Sequence, residues 1–410
     1  MEKSILRESE RMVRPKFQLR VRRGSLLMEL LGKSREELQE YCRTLGEPAY
    51  RGGQIYHALY AERKFDVESL TNLPVPLREK LRREATVSLP VVRQRYASSD
   101  GSVRYLFGLG VGYEALGGIS QKAQRKPAAV EAVFMPSAGR QTICISTQAG
   151  CAVDCQFCLT AKLGLIRNLT AGEILAQVLL PLVEMGGRDD AKNVAGREGG
   201  AEGSSGLAAR TNVVLMGQGE PMLNFASVIA ALRILLDPKG VGLSAKRVTL
   251  STSGVVPGIE RLAREAARPK LAISLNASCD EQRDVLMPIN KKYPLKVLME
   301  ACRRYPLRNW EHLTFEYVLL GGVNDTLADA RRVVKLLAAI DRVKVNLIPW
   351  NPGDLPYQES GADNIDKFQK VLADHGVPAF VRYSRGRDVM AACGQLALQE
   401  VQISPLPILR

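Results

Sequence analysis

The chain has 410 residues, of which 46% are hydrophobic and 24% are charged, and its formal net charge at pH 7 is +14. Length and composition are those of a soluble globular protein with one large and one smaller domain, not of a disordered or fibrous one. No apolar run reaches the roughly 20 residues that span a bilayer, and the basic N-terminus lacks the apolar core of a secretory signal, so we expect a cytoplasmic protein.

The excess of basic residues suits a polyanionic partner such as RNA, DNA or an anionic membrane surface, although many basic proteins bind none of these. Residues 1–33 are rich in Lys and Arg and have no clear apolar period. This pattern is typical of a solvated extension, and an additional contact to RNA is the alternative.

A small helical domain is predicted over residues 34–87. Ser34 stands three residues before Glu37, as in a capping box, and apolar residues follow at helical spacing. Residues 88–140 are predicted to form a β-rich connecting segment, with strands at Val103–Phe107 and Val130–Met135.

The rest of the chain alternates between short apolar strands and helices. The strands are predicted at Ile143–Ser146, Val213–Met216, Val248–Ser251, Leu271–Leu275, Thr314–Leu319, Val343–Ile348 and Ala379–Tyr383. Helices are predicted at Ala171–Glu184, Ala226–Leu236, Asp325–Ala339 and Asn364–His375. This alternation implies an α/β fold with a parallel sheet, and six or seven units indicate a barrel or part of one, with ligands at the carboxyl ends of the strands.

We place this barrel core at residues 141–397 and a C-terminal tail at residues 398–410. The stretch 186–206 is rich in Gly, Ala and charged residues, so it can bury little surface and is predicted to be a surface insertion without an assigned function.

Three of the eight cysteines, Cys151, Cys155 and Cys158, lie within eight residues of one another. In a long chain without a secretory signal, cysteines are more often thiols, metal ligands or catalysts than disulfides. Three thiolates can bind three irons of a cubane cluster and leave the fourth open to a small ligand. A structural zinc ion needs a fourth ligand, and there is no Cys or His between Cys158 and Cys279. The pattern therefore predicts a [4Fe–4S] cluster.

This cysteine spacing, with Phe157 directly before the last cysteine, resembles the motif of the radical S-adenosylmethionine (SAM) superfamily. Further segments are similar to the narrower RlmN/Cfr family of RNA methyltransferases: Thr142–Cys151, Gly164–Leu169, Met216–Asn224, Val248–Gly254, Leu271–Asn276, Arg283–Asn290 and Ala391–Leu396. The resemblance extends from about residue 34 to about residue 397 and leaves out the insertion.

The resemblance implies a partial (β/α)6 barrel, a [4Fe–4S] cluster and two SAM molecules per turnover. It implies that Cys393 carries a methyl group, that a carbon radical formed there adds to an adenine ring carbon, and that Cys144 releases the RNA by forming a disulfide. It gives Glu131 the role of the base. Taken alone, each of these two cysteines is more often a buried apolar thiol, and a lone Glu on a strand usually faces solvent.

The resemblance also implies SAM contacts at Gly219, Glu220, Ser251, Ser274, Leu275, Asn276 and Asn351. A Gly-rich turn after a strand lets the backbone approach a ligand, and the Glu220 carboxylate can pair with an ammonium group. The family often has His where this chain has Asn276, but both side chains can donate and accept hydrogen bonds. Cys42, Cys279 and Cys302 match no catalytic position of the family.

Pro221, directly after Glu220, resembles the RlmN form, as does the helical domain, which indicates RNA binding by that domain and methylation of adenine carbon 2. The family's substrates are 23S rRNA and tRNA, and the family suggests a flavodoxin-type electron donor and a monomer. The alternatives are methylation of carbon 8, a radical SAM enzyme acting on another substrate, and an RNA-binding protein with a structural metal.

Overall fold

The computed structural model describes residues 27–110, 128–137, 139–193 and 210–398, and for residues 185–193 it describes the backbone alone. The predictions made for residues 1–26, for residues 194–206 of the insertion and for residues 399–410 lie outside this part. Within the described residues, no helix is both long and apolar enough to cross a membrane.

The strands, numbered β1 to β14 in chain order, are Met28–Glu29, Ala85–Thr86, Val91–Ala97, Val103–Gly108, Ala129–Ser137, Arg140–Cys144, Gln148–Gly150, Leu165–Asn168, Thr211–Leu215, Val248–Thr252, Lys270–Ser274, Leu313–Leu319, Val343–Pro349 and Ala379–Val381. The α-helices are Arg35–Thr44, Tyr50–Tyr60, Val75–Glu84, Leu159–Lys162, Ala171–Asn193, Phe225–Leu236, Val256–Leu262, Asp280–Leu286, Leu295–Arg304, Leu327–Leu337 and Ala362–Asp374.

Three helices form the N-terminal unit, and the first begins at the predicted capping box. The Oγ of Ser34 accepts a hydrogen bond from Glu37 N at 3.2 Å, and Ser34 N donates to the Glu37 carboxylate at 2.8 Å. Residues before the predicted start of this domain at residue 34 also pack against it, because β1 pairs with β2 and Leu30 is fully buried. Strands of two residues are too short to show a periodic pattern of apolar residues, so the sequence does not predict this pairing.

A ten-stranded sheet forms the centre of the molecule, in the order β14-β13-β12-β11-β10-β9-β6-β5-β4-β3. The pairs from β6 through β9 to β14 are parallel, as the alternation of strands and helices predicts. Strands β3, β4 and β5 extend this sheet in antiparallel fashion. The predicted partial barrel with a β-rich extension is confirmed, and β14 adds a seventh parallel strand at one edge.

Residues alternate between the two faces of each parallel strand. In β12, Leu313, Phe315 and Tyr317 belong to the main apolar core, which packs against the helices. Glu316 lies between Phe315 and Tyr317, and Val318 lies between Tyr317 and Leu319, so both point to the opposite, inner face. The inner face of the barrel is thus where polar groups of the strands are available to a ligand.

The first part of the predicted insertion is helical. The helix predicted to end at Glu184 continues to Asn193, although Gly186 and Gly187 follow one another there. Glycine weakens a helix by only about 1 kcal/mol per residue, so a long helix that is already packed over its first turns can continue through such a pair.

Gly52 marks the closest approach of the first two helices. A Cβ atom at this position would lie 2.3 Å from Gln39 N and 2.4 Å from Gln39 Cα, whereas at Gly53 it would meet the Arg35 side chain at 3.3 Å. Alanine usually stabilises a helix interior by about 0.5–1 kcal/mol relative to glycine. We expect Gly52→Ala to reverse this sign, because backbone atoms cannot move aside as a flexible side chain can.

Urea unfolding followed by circular dichroism checks this expectation. Gly52→Ala should lower the free energy of unfolding by about 1–3 kcal/mol. Gly53→Ala serves as the matched control and should leave it unchanged or raise it. Equal midpoints for the two variants would show that the helices do not pack this closely.

Candidate active site

A cavity opens at the carboxyl ends of the parallel strands, with an empty volume of about 970 Å³ that includes solvent at its mouth. Most of the predicted site residues line it: Cys151, Cys155, Cys158, Gly219, Glu220, Ser251, Ser274, Asn276, Asn351 and Cys393. Cys144, Glu131 and Leu275 lie behind its wall. Residues far apart in the sequence therefore meet where a barrel of this kind places its ligand.

The three clustered cysteines lie on a loop between β7 and the helix Leu159–Lys162. The loop is closed at its base, where Cys151 N donates to Gly164 O at 3.0 Å. Gly150 has a φ of +73°, and a Cβ atom there would lie 1.8 Å from Gly164 O. Only glycine fits this close approach, so the turn that presents Cys151 to the cavity depends on it.

The three thiols are half-buried beside one another. Burial raises the pKa of Cys151 to about 11, and the neighbouring Cys158 adds to this. Burial also raises the pKa of Cys155, and the neighbouring Cys158 and Cys151 raise it further. Burial raises the pKa of Cys158 as well, but the N–H and O–H groups of Thr160 donate to this sulfur and partly offset the rise. With pKa values raised in this way, the three thiols do not ionise on their own at neutral pH. A coordinating metal supplies positive charge and displaces the thiol proton, so these groups can become thiolates when they bind one.

Within the described residues, no three His, Cys, Asp or Glu side chains are grouped to hold one metal ion. A cubane cluster makes a different demand, because each thiolate binds a separate iron. Three thiols that share a cavity wall, influence each other's pKa and face an open space fit that donor set.

Glu220 organises the wall opposite the cysteine loop. Its carboxylate accepts hydrogen bonds from Met222 N at 3.0 Å, Thr252 Oγ1 at 2.7 Å, and both N and Oγ of Ser253 at 2.7 and 2.8 Å. A carboxylate has about four acceptor positions, so these bonds occupy them. Burial raises the pKa of Glu220, against the effect of these donors. The Glu220 carboxylate can therefore attract a cationic ligand through its charge but has no acceptor position left for a further hydrogen bond.

Gly219 lies directly before Glu220 and has a φ of +95°; a Cβ atom there would lie 2.5 Å from the Cβ of Gln148. Ser251 and Ser274 contact each other across neighbouring strands, with their hydroxyl oxygens 3.3 Å apart. Asn276 has a φ of +55° and accepts a hydrogen bond from Val318 N at 2.8 Å. These residues reach the cavity through their backbone and short polar side chains.

Cys393 enters the cavity from the C-terminal segment, defined here as residues 384–398. Asn351 Nδ2 donates to Cys393 O at 3.1 Å, and Leu159 N donates to Gly394 O at 2.8 Å. The Cys393 side chain is exposed to water in the cavity although many protein atoms surround it. This partial desolvation raises the pKa of the Cys393 thiol to about 11, and Glu316 and Cys158 add to the effect. The alternative of a buried apolar thiol is wrong for Cys393.

Cys144 lies behind the cavity in a small apolar cluster. Its neighbours there come from the antiparallel strands and the C-terminal segment, among them Val133, Val389 and Leu396. Burial raises the pKa of Cys144, and Cys393 is the next cause. The two sulfurs are therefore close enough to interact electrostatically, while both thiols are free.

Glu131 is fully buried, so the alternative that it faces solvent is wrong. Its carboxylate forms an ion pair with the equally buried Arg104 and accepts a hydrogen bond from Leu398 N at 3.1 Å. Burial raises its pKa, and Arg104 and Leu398 oppose this. The C-terminal segment thus covers Glu131, as it covers Cys144.

Leu275 has its side chain in the main apolar core. Its N–H donates to Glu316 O, and its carbonyl accepts from Arg283 Nε. A contact with SAM remains a prediction for its main chain alone.

Two residues that the sequence analysis did not single out shape the cavity. Arg283 is fully buried and ties together the ends of β10 and β11. Its guanidinium donates to the carbonyl oxygens of Ser253, Ser274 and Leu275 and to Asn290 Oδ1, at 2.6 to 3.1 Å. Glu316 lines the cavity from β12. A carboxylate within an otherwise apolar buried strand is the sequence signal that could have identified it.

Two family models match parts of the chain. One describes the N-terminal domain of ribosomal RNA large subunit methyltransferases and matches residues 28–87, and the other describes the radical SAM superfamily and matches residues 205–337.

Curated relatives match over most of the chain. A "Probable dual-specificity RNA methyltransferase RlmN" of Koribacter versatilis is 46% identical over 374 residues, which is 87% of this chain and 98% of the relative. A "Dual-specificity RNA methyltransferase RlmN" of Azorhizobium caulinodans is 42% identical over 389 residues, or 93% of this chain and 92% of the relative. The crystal structure of a radical SAM methyltransferase from Sphaerobacter thermophilus is 39% identical, with a TM-score of 0.76 over 90% of this chain and 99% of the other.

We expect Arg283→Lys to be strongly destabilising, although it keeps the charge. A lysine ammonium has three donors on one nitrogen and cannot reach four acceptors that surround a planar guanidinium. Leaving buried acceptors such as Ser253 O unpaired should lower the free energy of unfolding by about 3 kcal/mol. Arg303→Lys, on the exposed pair with Glu300, is the control in urea unfolding and should have little effect. Similar stability of both variants would contradict the positioning role of Arg283.

Proposed function

We propose that this chain methylates carbon 2 of an adenine in 23S rRNA and in tRNA. The premise is that the chain belongs to the RlmN family of radical SAM RNA methyltransferases. One observation carries this proposal. The Cys393 thiol faces the same cavity as Cys151, Cys155 and Cys158, more than 230 residues away in the chain. A thiol carrier beside a cluster site has a use in this reaction and none in ordinary methyl transfer.

Cys151, Cys155 and Cys158 would hold a [4Fe–4S] cluster, and the polar residues of the opposite wall would hold SAM. When bound, these groups supply a methyl cation equivalent and, after electron transfer, a 5′-deoxyadenosyl radical. The protein's part is to keep the reacting atoms together and to exclude water. The apolar side chains of Phe157, Met287 and Trp350 in the cavity wall support that part.

Cys393 carries the methyl group as a thioether and presents it to the adenine. Carbon 2 of adenine is electron-poor and is no nucleophile for direct methyl transfer, but a carbon radical can attack it. The addition leaves the RNA attached to Cys393. Its exposure within the cavity supports this role, because the sulfur must be accessible to both SAM and the base.

Glu131 then takes the proton from carbon 2, and one electron would leave the adduct for the oxidised cluster. The Cys144 sulfur attacks the Cys393 sulfur, so that the S–S bond forms and the bond from the Cys393 sulfur to the transferred carbon breaks. The electron pair of the broken bond stays on that carbon, which takes up a proton to become the methyl group of the released RNA.

The effect of Cys393 on the pKa of Cys144, and the packing of Cys144 against the C-terminal segment that carries Cys393, support the role of Cys144. A fully buried carboxylate supports the role of Glu131, since a base in a dry site can have the raised pKa that proton transfer at neutral pH needs. Both residues lie under the C-terminal segment, so its residues 396–398 have to move for these steps.

Choice of carbon 2 over carbon 8 is supported by Pro221 after Glu220 and by the RlmN names of the relatives. Binding of RNA is supported by the N-terminal unit, which matches the family's own N-terminal domain, and by the net charge of +14. Basic groups bind the RNA backbone and its shape irrespective of sequence. A flavodoxin-type electron donor and a monomeric state remain predictions from the resemblance, and a cytoplasmic location remains a prediction from the sequence.

Mass spectrometry of nucleosides tests the reaction. The reconstituted protein is incubated without oxygen with SAM, a reductant and either 23S rRNA or tRNA. We expect 2-methyladenosine in both RNAs with the wild-type protein and with Cys279→Ala, and none with Cys393→Ala. Formation of 8-methyladenosine would move the reaction to the other ring carbon, and methylation by Cys393→Ala would overturn the carrier mechanism.

Cys144→Ala should trap the RNA on the protein, because no second thiol can displace Cys393 from the product. Denaturing gel electrophoresis with labelled tRNA should show a slowly migrating species that nuclease removes. The Cys279→Ala control should show none. Free methylated RNA without an adduct from Cys144→Ala would exclude the resolving role of Cys144.

A further inference from the structure

Glu316 is a buried carboxyl group on the wall of the cavity, at the centre of β12. Its exposed fraction is 8%, and it lies on the inner face of the sheet beside Ser274 of β11 and Asn346 of β13. The role proposed for the cavity above makes no use of it. Burying a carboxylate destabilises the fold unless hydrogen-bond donors or a positive charge compensate it, so a buried carboxylate on a cavity wall is a candidate for function.

Its compensation is slight. Asn346 Nδ2 donates to one carboxylate oxygen of Glu316 at 2.9 Å, and within the described residues this is the one hydrogen bond of the Glu316 side chain. Arg382 Nε donates to the Asn346 Oδ1 at 3.3 Å, so the amide is oriented with its NH2 group towards Glu316. Lys344 and Arg382 act on Glu316 through their charge and form no ion pair with it within the described chain.

The charged and titratable groups around Glu316 are few. Lys344 faces it from β13, Arg382 from beyond β14 and the Cys393 thiol from the C-terminal segment, while its neighbour on β11 is the uncharged Ser274. Among the charged groups that act on the Cys393 thiol, Glu316 has the largest effect. Burial raises the pKa of Glu316 to about 7, which suits a base that works at neutral pH.

The other two carboxylates near the cavity do not face the Cys393 thiol with free acceptor positions, and the proposed function already uses Glu131 for the proton of carbon 2. The acceptor positions of Glu220 are filled by four donors from the wall. Glu131 lies behind the wall in its ion pair with Arg104. Among the described residues that line the cavity, Glu316 is therefore the carboxyl group with acceptor capacity left for a proton.

We propose that Glu316 is the base that accepts the proton of the Cys393 thiol when SAM methylates that sulfur, and that Asn346 positions it. The inference rests on the proposed function. The S–H bond of Cys393 breaks and an S–CH3 bond forms, while the methyl–sulfonium bond of SAM breaks and its electron pair stays on the SAM sulfur. The proton goes to Glu316, so the step is balanced without any oxidant or reductant.

The described structure shows no direct hydrogen bond between the two groups. A proton can cross one bridging water, and hydrogen bonds of a catalytic site often close only when the ligand is bound. The positive charge of SAM in the cavity would also favour the thiolate over the thiol.

Methylation of Cys393 can be measured directly by peptide mass spectrometry of the reconstituted protein after mixing with SAM. We expect Glu316→Gln to slow the appearance of the methylated peptide by about 100-fold. Glu300→Gln, the same change at an exposed position, should leave the rate unchanged. In the wild type the rate should fall as the pH drops through about 7, because protonated Glu316 cannot act as a base, and Glu316→Gln should lose this step.

Alkylation of Cys393 by iodoacetamide without SAM gives an opposite expectation. Because ionised Glu316 raises the pKa of the thiol, Glu316→Gln should shift the alkylation profile to lower pH. Slower methylation together with alkylation at lower pH cannot result from a damaged site. A damaged site would either lower the rates of both reactions or make the thiol more accessible to both reagents.

An unchanged methylation rate in Glu316→Gln, beside a methylated wild type, overturns the assignment of Glu316 alone. A wild type that never carries a methyl group on Cys393 overturns the proposed function and this inference with it. Glu316→Asp keeps the carboxyl group and serves if Glu316→Gln does not fold. A folded Glu316→Asp without the pH step near neutrality would contradict the role of Glu316 equally.

Discussion

The docking of the C-terminal segment onto the cysteine loop is the contact on which the rest of the site depends. Leu159 N, which follows the third cysteine, donates to Gly394 O at 2.8 Å. This bond, together with those from Asn351 Nδ2 to Cys393 O and from Thr160 Oγ1 to Leu396 O, places Cys393 at the cavity. The neighbouring residues of the segment then cover Cys144 and Glu131. The C-terminal segment therefore connects the loop of the three clustered cysteines with strands β5 and β6, which carry Glu131 and Cys144. Its contacts are hydrogen bonds, a small apolar cluster and the ion pairs of Arg385 with Asp100 and Arg387 with Glu359, all outside the main core, so part of it can open without disturbing that core.

Three buried carboxylates near the cavity are compensated in three ways. Glu131 has the guanidinium of Arg104, Glu220 has four hydrogen-bond donors, and Glu316 has one amide. For the two that line the cavity, the degree of compensation separates their roles. Glu220 has its acceptor positions filled and holds the wall together, whereas Glu316 is compensated weakly and retains the capacity to take a proton. The same burial keeps the thiols protonated at rest, so each reactive sulfur needs a partner before it can react.

Much of the fold could be predicted because parallel strands and their helices have strong local signatures. The predicted strands after residue 141 and the four predicted helices are all present, with ends shifted by a few residues. Two of the differences have a clear physical reason. The pairing of β1 with β2 is too short to leave a periodic pattern, and the helix that begins at Ala171 continues through glycines because its earlier turns are packed. Local propensity is a weak guide wherever tertiary packing decides the outcome.

The sequence by itself determined the spacing of Cys151, Cys155 and Cys158, the order of the strands along the chain and the resemblance that relates Cys393 to them. Only the tertiary structure decided that Cys393 faces the cavity, that Glu131 and Cys144 lie behind it and that Glu316 joins the site. The physical reason is that local patterns depend on neighbours within a few residues. Burial, charge and hydrogen bonding depend on which distant segments the sheet brings together, and no spacing in the sequence records that.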